Sequence, residues 1–248
     1  WMTPEERDLD LALETQKELD KQIVLQVRKW LDKMSSTKED TRAQARAELE
    51  KIDDDYKVKP YLAALGTSFK TTRLFAVEEL GRMVEKRAVK PLVRRAIWDT
   101  EEPIRAAALT AIVAINHPDT VLHLIPYLEE ESTLARMRVE EALSFFKDLR
   151  SVPPLLGILN NAVETLKFMD QYADQLARML RRELVLRNGK RVILPAHIRI
   201  QPEFWDAQAR RRLEDEKGAV AASLRTITGQ DFGEEMAQWT AWYEKNRK

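Results

Sequence analysis

The sequence predicts a mostly α-helical chain arranged as an α-solenoid, a stack of short helical hairpins. One pattern, an apolar segment with proline followed by an alanine-bearing amphipathic segment, recurs three times and begins a fourth between residues 58 and 160. Its prolines lie about thirty residues apart, a spacing typical of helical-hairpin arrays (Pro60, Pro91, Pro126 and Pro154). Only 7 of 248 residues are glycine and 33% are charged, which fits a helix-rich, loop-poor chain.

Residues 1–36 are predicted to form one long helix. Thr3 and Pro4 resemble a capped helix start, and apolar residues then recur at steps of three and four as far as Met34. A helix of about thirty residues is longer than a hairpin repeat needs. It either packs lengthwise on the array as a cap or pairs with a second copy as a coiled coil, and Gln16 on the apolar seam weakens the second alternative.

Residues 37–160 are predicted to form the repeat array. Each unit has two short amphipathic helices, and neither can bury its apolar stripe alone. Small residues in the second helix of each hairpin allow close helix contact, and larger neighbours fill the space between hairpins. We aligned three sets of positions: Ala76, Ala108 and Ala142; Val77, Leu109 and Leu143; Leu80, Ile112 and Phe146.

The array resembles the HEAT repeat, in the short form also found in the phycobilisome-lyase-like family. The matching positions are Arg73, Ala76 and Leu80 in one copy and Arg105, Ala108 and Ile112 in the next. The third copy departs, with Val139 in the arginine place and Arg138 one residue early. The ending, L-x-x-I-T-G-Q-D-F-G and then W-x-x-W, resembles the last segment of uncharacterised bacterial HEAT-repeat proteins. The resemblance implies a curved scaffold that binds proteins.

Residues 161–248 are predicted to complete the chain with helices and a β-hairpin. A helix is expected at 161–182, and a hairpin at 183–195 around Asn188 and Gly189, with a possible third strand at 197–200. Further helices are expected at 204–217 and 220–227. Trp239 and Trp242 share one helix face, which is either a packed end cap or an exposed aromatic patch.

No constellation of residues predicts catalysis, a metal site or a cofactor. The chain has no cysteine, no G-x-S-x-G elbow and no glycine-rich phosphate loop. Its histidines, His117, His123 and His197, lack the spacing of metal ligands. Asp231-Phe232-Gly233 lacks the other kinase motifs. We therefore predict a protein that is not an enzyme, with an enzyme or lyase accessory as the alternative by family analogy.

The net charge of zero and the absence of long apolar runs predict a soluble chain without a membrane span, and they do not distinguish a cytoplasmic from an exported protein. The predicted partner is a protein or peptide bound on the concave face. Its contact residues are expected to be Phe75, Glu78, Arg82, Thr110 and Glu141, with Phe75 as an aromatic wall. The chain's own C-terminal hairpin is an alternative occupant of this groove.

A second candidate surface is the basic segment 178–212, which has ten basic and three acidic residues. Arg187, Lys190 and Arg191 represent it as candidate binding residues for nucleic acid or another polyanion. The alternative is that these side chains cover apolar surface and pair with acids of neighbouring helices.

Overall fold

The computed structural model describes residues 4–180, 184–185, 191–192 and 202–247, with side-chain surroundings for 10–171 and 207–247. The predicted cap at Thr3 and the possible strand at 197–200 lie outside these residues. The chain divides into two compact units, Trp1–His123 and Leu124–Lys248.

The first unit consists of helices packed in consecutive pairs. Their bounds are α1 Pro4–Lys33, α2 Glu39–Glu50, α3 Asp54–Ala64, α4 Lys70–Arg82, α5 Val89–Trp98 and α6 Glu102–Ile115, with α7 Thr120–Leu124 at the unit's end. Helix α1 packs on α2 and α3, α3 packs on α4, and α6 packs on both α4 and α5. Both helices of a pair contribute to the core: Tyr61 and Leu92 of the first helices are fully buried, as are Ala76, Leu80 and Ile112 of the second helices.

The second unit begins with a short 3-10 segment, Ile125–Glu129. Its helices are α8 Thr133–Phe146, α9 Val152–Leu180, α10 Pro202–Thr228 and α11 Met236–Asn246. Helix α10 packs on α8 and α9, just as α6 packs on α4 and α5. Helix α10 is therefore the second helix of the last pair.

Two helices are longer than the sequence pattern predicts. Helix α9 runs without a break from Val152, so the start expected at residue 161 is wrong. Helix α10 continues through Gly218, so the two helices expected at 204–217 and 220–227 are one. A Cβ added at Gly218 has no neighbour within 4 Å, and this glycine is an exposed helical residue.

The β component of the predicted fold class is wrong. The described chain is a helical fold, which fits the α-solenoid part of the prediction. Of the hairpin expected at 183–195, the described residues form a pairing of two residues on each side, β1 Leu184–Val185 with β2 Arg191–Val192, and the remainder lies outside the described residues. A pairing of this length is too short to form a structural layer on the helices.

An arginine in the first turns of α2, α4, α6 and α8 performs the same structural role four times. Arg73 donates to the carbonyl oxygens of the residues six and five positions earlier, at 3.0 and 2.9 Å. Arg105 does so at 2.9 and 3.2 Å, and Arg136 at 2.6 and 3.2 Å. Arg42 donates to the carbonyl six positions earlier at 2.7 Å. These bonds satisfy carbonyl groups in the turn between the two helices of a pair.

The arginine bonds correct the repeat alignment made from the sequence. The arginine of the third copy is Arg136, so assigning its place to Val139 is wrong. Three residues after the arginines come Ala45, Ala76, Ala108 and Val139, and seven residues after them come Leu49, Leu80, Ile112 and Leu143, all buried. Ala142 is buried as well, but it does not correspond to Ala76.

Candidate functional site

The predicted aromatic wall of the groove lies in the core of the first unit. Phe75 is 5% exposed, and its ring packs edge-on against Tyr61 with centroids 5.7 Å apart. The guanidinium of Arg46 lies 5.4 Å from the ring centre. Phe75 therefore stabilises the packing of α3 against α4 and is not a surface contact.

The charged residues predicted on α4 are exposed. Glu78 has an exposed side chain. Arg82 pairs with Glu79 at 3.0 Å and with Asp54 of α3 at 3.2 Å. The hydrogen bond from Arg82 to Glu79 is the main cause that raises the pKa of this arginine. Arg82 therefore helps to hold α3 and α4 together in addition to being accessible.

Thr110 belongs to an exposed strip of small residues on α6. Ala106, Thr110, Val113 and Ala114 are all exposed, and the Thr110 hydroxyl donates to the Ala106 carbonyl at 3.0 Å. We call these four residues the α6 face. Since the hydroxyl of Thr110 is already bonded within the helix, the face is flat and offers few polar groups of its own.

The α6 face is held in place by a close helix contact and a buried ion pair. A Cβ on Gly81 of α4 would lie 2.7 Å from the Cβ of Ala111, so only glycine fits there. Asp99, just before α6, accepts two hydrogen bonds of 2.9 Å from Arg73. Burial alone would raise the pKa of Asp99, but the bonds from Arg73, Arg95 and the Glu101 amide outweigh it and hold the pKa below its ordinary value.

The other predicted contact residues lie in the second unit or outside the side chains that the structure describes. Glu141 is exposed on α8, in the second unit. Arg187 and Lys190 lie outside the described residues, and of Arg191 the structure describes only the backbone, in β2. Arg210 pairs with Asp170 at 2.5 Å and with Glu214 at 3.2 Å, which supports the pairing interpretation for this arginine.

The second unit contains a buried charged cluster that the sequence did not predict. Arg136 of α8 pairs with Glu216 of α10, whose residue is 3% exposed. Glu140 of α8 is fully buried, and neither carboxyl oxygen has a hydrogen-bond partner among the described residues. Burial raises the pKa of Glu140 to about 8; the charge of Glu216 adds to this effect and Arg136 opposes it.

The arginine alignment would have identified Glu140 from the sequence. Four residues after Arg73, Arg105 and Arg136 stand Val77, Leu109 and Glu140, and four residues after Arg42 stands Arg46. A glutamate where the two preceding copies have an apolar residue is the signal. It was missed because the third copy was aligned on Ala142, which shifts the column by three residues.

The remaining candidates have structural roles where the structure describes them. The His117 ring accepts a bond from the Asp119 amide at 3.1 Å, as in a turn. Phe232 packs edge-on against the buried Trp239 with ring centres 4.9 Å apart, whereas Trp242 is half-buried. Among the side chains described, no three His, Asp or Glu residues are grouped to hold a metal ion.

This geometry defines a class of protein: a helical repeat chain built of packed helix pairs, in which an arginine of the second helix bonds the turn before it. Within that class, residues 95–168 match the family model described as HEAT repeats. That stretch runs from the end of α5 through α6, α7 and α8 to the first part of α9. None of the curated proteins matches the chain. In the ranges that the structure describes, no helix has both the length and the apolar character needed to cross a bilayer.

Proposed function

We propose that the protein is a non-enzymatic HEAT-repeat scaffold that binds another protein through the α6 face. HEAT repeats are commonly protein-interaction scaffolds, and the match at 95–168 includes all of α6. The regular spacing of the four arginines supports the short form of the repeat. The bacterial type is proposed from the resemblance of the chain's ending alone.

The observation that carries the proposal is the composition of the α6 face. Its exposed side chains are small, so the backbone of a partner helix or extended peptide can approach α6 closely. Glu78 and Arg82 are exposed on α4, which packs against α6, and they supply charges of both signs. An apolar strip beside charged groups is the usual anatomy of a protein-binding surface.

The experiment compares variants that place a long charged side chain on this face or elsewhere. The wild-type chain is first used to capture its partner proteins from a lysate of the source organism. We expect Ala106→Arg and Ala114→Arg to abolish this capture. Ala47→Arg, on the exposed surface of α2, is the matched control and should still capture the proteins that the wild type captures. Thermal unfolding checks that all three variants are folded. If the Ala106 and Ala114 variants capture the same proteins as the wild type, the α6 face is not the binding surface.

A further inference from the structure

The second unit contains a cleft of about 440 Å³ among the 3-10 segment, α9 and α10. Its apolar walls include Leu128, Ile158 and Leu213. Gly157 of α9 also lines the cleft, and a Cβ added there has no neighbour within 4 Å. The cleft therefore has room for a side chain supplied by another molecule.

The charged groups that line this cleft are unbalanced. They are three glutamates and one arginine: Glu129, Glu130, Glu216 and Arg136. The guanidinium of Arg136 is fully engaged, since it pairs with Glu216 and donates to the carbonyls of Glu130 and Glu131. Three carboxylates against one guanidinium leave an excess of two negative charges along the cleft.

Glu140 adds a further carboxyl group next to this pair. It interacts electrostatically with both Glu216 and Arg136, it has no exposed area, and within the described part of the chain its oxygens lack hydrogen-bond partners. The charged groups facing Glu140 are Glu216 on α10 and Arg136 on its own helix. Glu140 is not among the residues that line the cleft, so the charge offered to a ligand comes from the glutamates that do line it.

We propose that this cleft binds a lysine or arginine side chain from a partner protein, in a segment where apolar residues flank the basic one. The apolar walls accommodate the aliphatic stem of the side chain, and the glutamates neutralise its charge. The cleft uses none of the residues of the α6 face. This proposal therefore stands or falls independently of the proposed function.

The test is an NMR titration of the full chain with two peptides, Ac-Leu-Lys-Leu-NH2 and Ac-Leu-norleucine-Leu-NH2. We expect the lysine peptide to shift the amide signals of Gly157 and Ile158 and to bind roughly five-fold more tightly than the norleucine peptide, the effect of one partly exposed charge pair. Raising the salt concentration should lower the affinity for the lysine peptide and not that for the norleucine peptide, because salt screens the charge interaction.

Two pairs of variants test the location of the site. Gly157→Leu fills the cleft and should abolish binding, whereas Gly218→Leu, at another open helical glycine, should not. Glu129→Gln should lower the affinity for the lysine peptide about two-fold, as expected for one exposed charge. Glu131→Gln should leave this affinity unchanged. Glu131 is exposed and is not among the residues lining the cleft. The Glu129 comparison remains informative if the Gly157 variant does not fold.

Three results would overturn the proposal. The first is equal affinity for the lysine and norleucine peptides, which would mean that the charge of the cleft is not used. The second is peptide binding that Gly157→Leu leaves intact in a folded protein. The third is tighter binding of spermidine than of the lysine peptide, which would make the ligand a free polyamine and not a protein segment.

Discussion

At the scale of the residue, the two units contain buried acids of opposite character. Asp99 is fully buried and bonded by Arg73, Arg95 and a backbone amide. Glu140 is equally buried, and no described residue bonds its carboxyl oxygens. The first acid is stable as a carboxylate, and the second is stable as a neutral carboxylic acid.

We expect Asp99→Ala to lower the free energy of unfolding by about 3–5 kcal/mol, because it leaves the buried guanidinium of Arg73 without its partner. Equilibrium unfolding in urea, followed by circular dichroism, measures the change. Glu48→Ala removes the exposed pair with Lys51 and serves as the control, with almost no expected effect. Equal effects of the two substitutions would show that burial of the Arg73–Asp99 pair is unimportant.

The raised pKa of Glu140 predicts that the stability of the folded chain depends on pH. In the unfolded chain its carboxyl titrates near 4.5, and in the folded chain near pH 8. Between these values the folded state holds a proton that the unfolded state has released. The contribution of protonated Glu140 to the free energy of unfolding is therefore fully present below about pH 4.5 and is lost as the pH rises to about 8.

We expect Glu140→Gln to unfold at nearly the same temperature as the wild type at pH 5 and at a clearly higher one at pH 9. The gain in stability should grow by about 1.4 kcal/mol for each pH unit up to about pH 8 and level off above it. Thermal unfolding from pH 5 to pH 9 measures it. Glu141→Gln changes the exposed neighbour and should follow the wild type. If the curve for Glu140→Gln also runs parallel to the wild type, the raised pKa is wrong.

At the scale of the element, the packing of α4 on α6 depends on one glycine. We expect Gly81→Ala to destabilise the protein by about 1–3 kcal/mol, because the new methyl group lies 2.7 Å from the Cβ of Ala111. Gly157→Ala is the matched substitution in an open helical position and should stabilise by up to about 1 kcal/mol. Urea unfolding compares them, and a stabilising Gly81→Ala would mean that the two helices are further apart.

Helix α1 is packed over only part of its length. Val27 and Leu31 are buried, whereas Leu11, Leu13 and Leu19 are 50–65% exposed. A helical segment without tertiary contacts is marginally stable in water. We therefore expect the amide hydrogens of residues 10–19 to exchange orders of magnitude faster than those of residues 27–33.

Hydrogen exchange measured at two protein concentrations tests whether a second copy covers the exposed part of this helix. Fast exchange of residues 10–19 at both concentrations means that nothing covers them. Protection that increases with protein concentration means that a second copy pairs with α1 as a coiled coil. Protection equal to that of residues 27–33 at both concentrations would contradict the exposure of the three leucines.

At the scale of the whole molecule, the sequence predicts the helical class and most helix positions, because apolar periodicity and capping residues are local signals. It does not predict that α9 and α10 are unbroken. A glycine or a pair of prolines marks a possible break, and only packing decides whether the helix continues. Nor does it predict Arg136–Glu216, since the two residues are 80 positions apart.

The α6 face was partly predictable, and the charged cluster was not. Thr110 and Glu78 are exposed as the repeat pattern suggests, but Phe75 is not, because the pattern does not show that Tyr61 and Arg46 cover its ring. Glu140 needed the correct alignment of the third copy. The three-residue error in the alignment of the third copy is therefore the reason why Glu140 was not recognised.

The balance of charge over the whole chain argues against nucleic-acid binding. The chain has 41 basic and 41 acidic residues, and Arg210 of the basic segment is already paired with Asp170 and Glu214. We expect no change in the fluorescence anisotropy of a labelled single-stranded oligonucleotide at low salt. Binding that weakens steeply with added salt would instead support the basic segment as a polyanion site.

The pairing of Arg136 with Glu216 has a consequence for synthesis on the ribosome. Arg73 meets its acid 26 residues later, so the first unit can neutralise its internal guanidinium early in translation. Arg136 must wait until α10 has left the exit tunnel. The nascent second unit therefore closes only after α10 has been made, and a chain truncated before α10 leaves the guanidinium of Arg136 without its acidic partner.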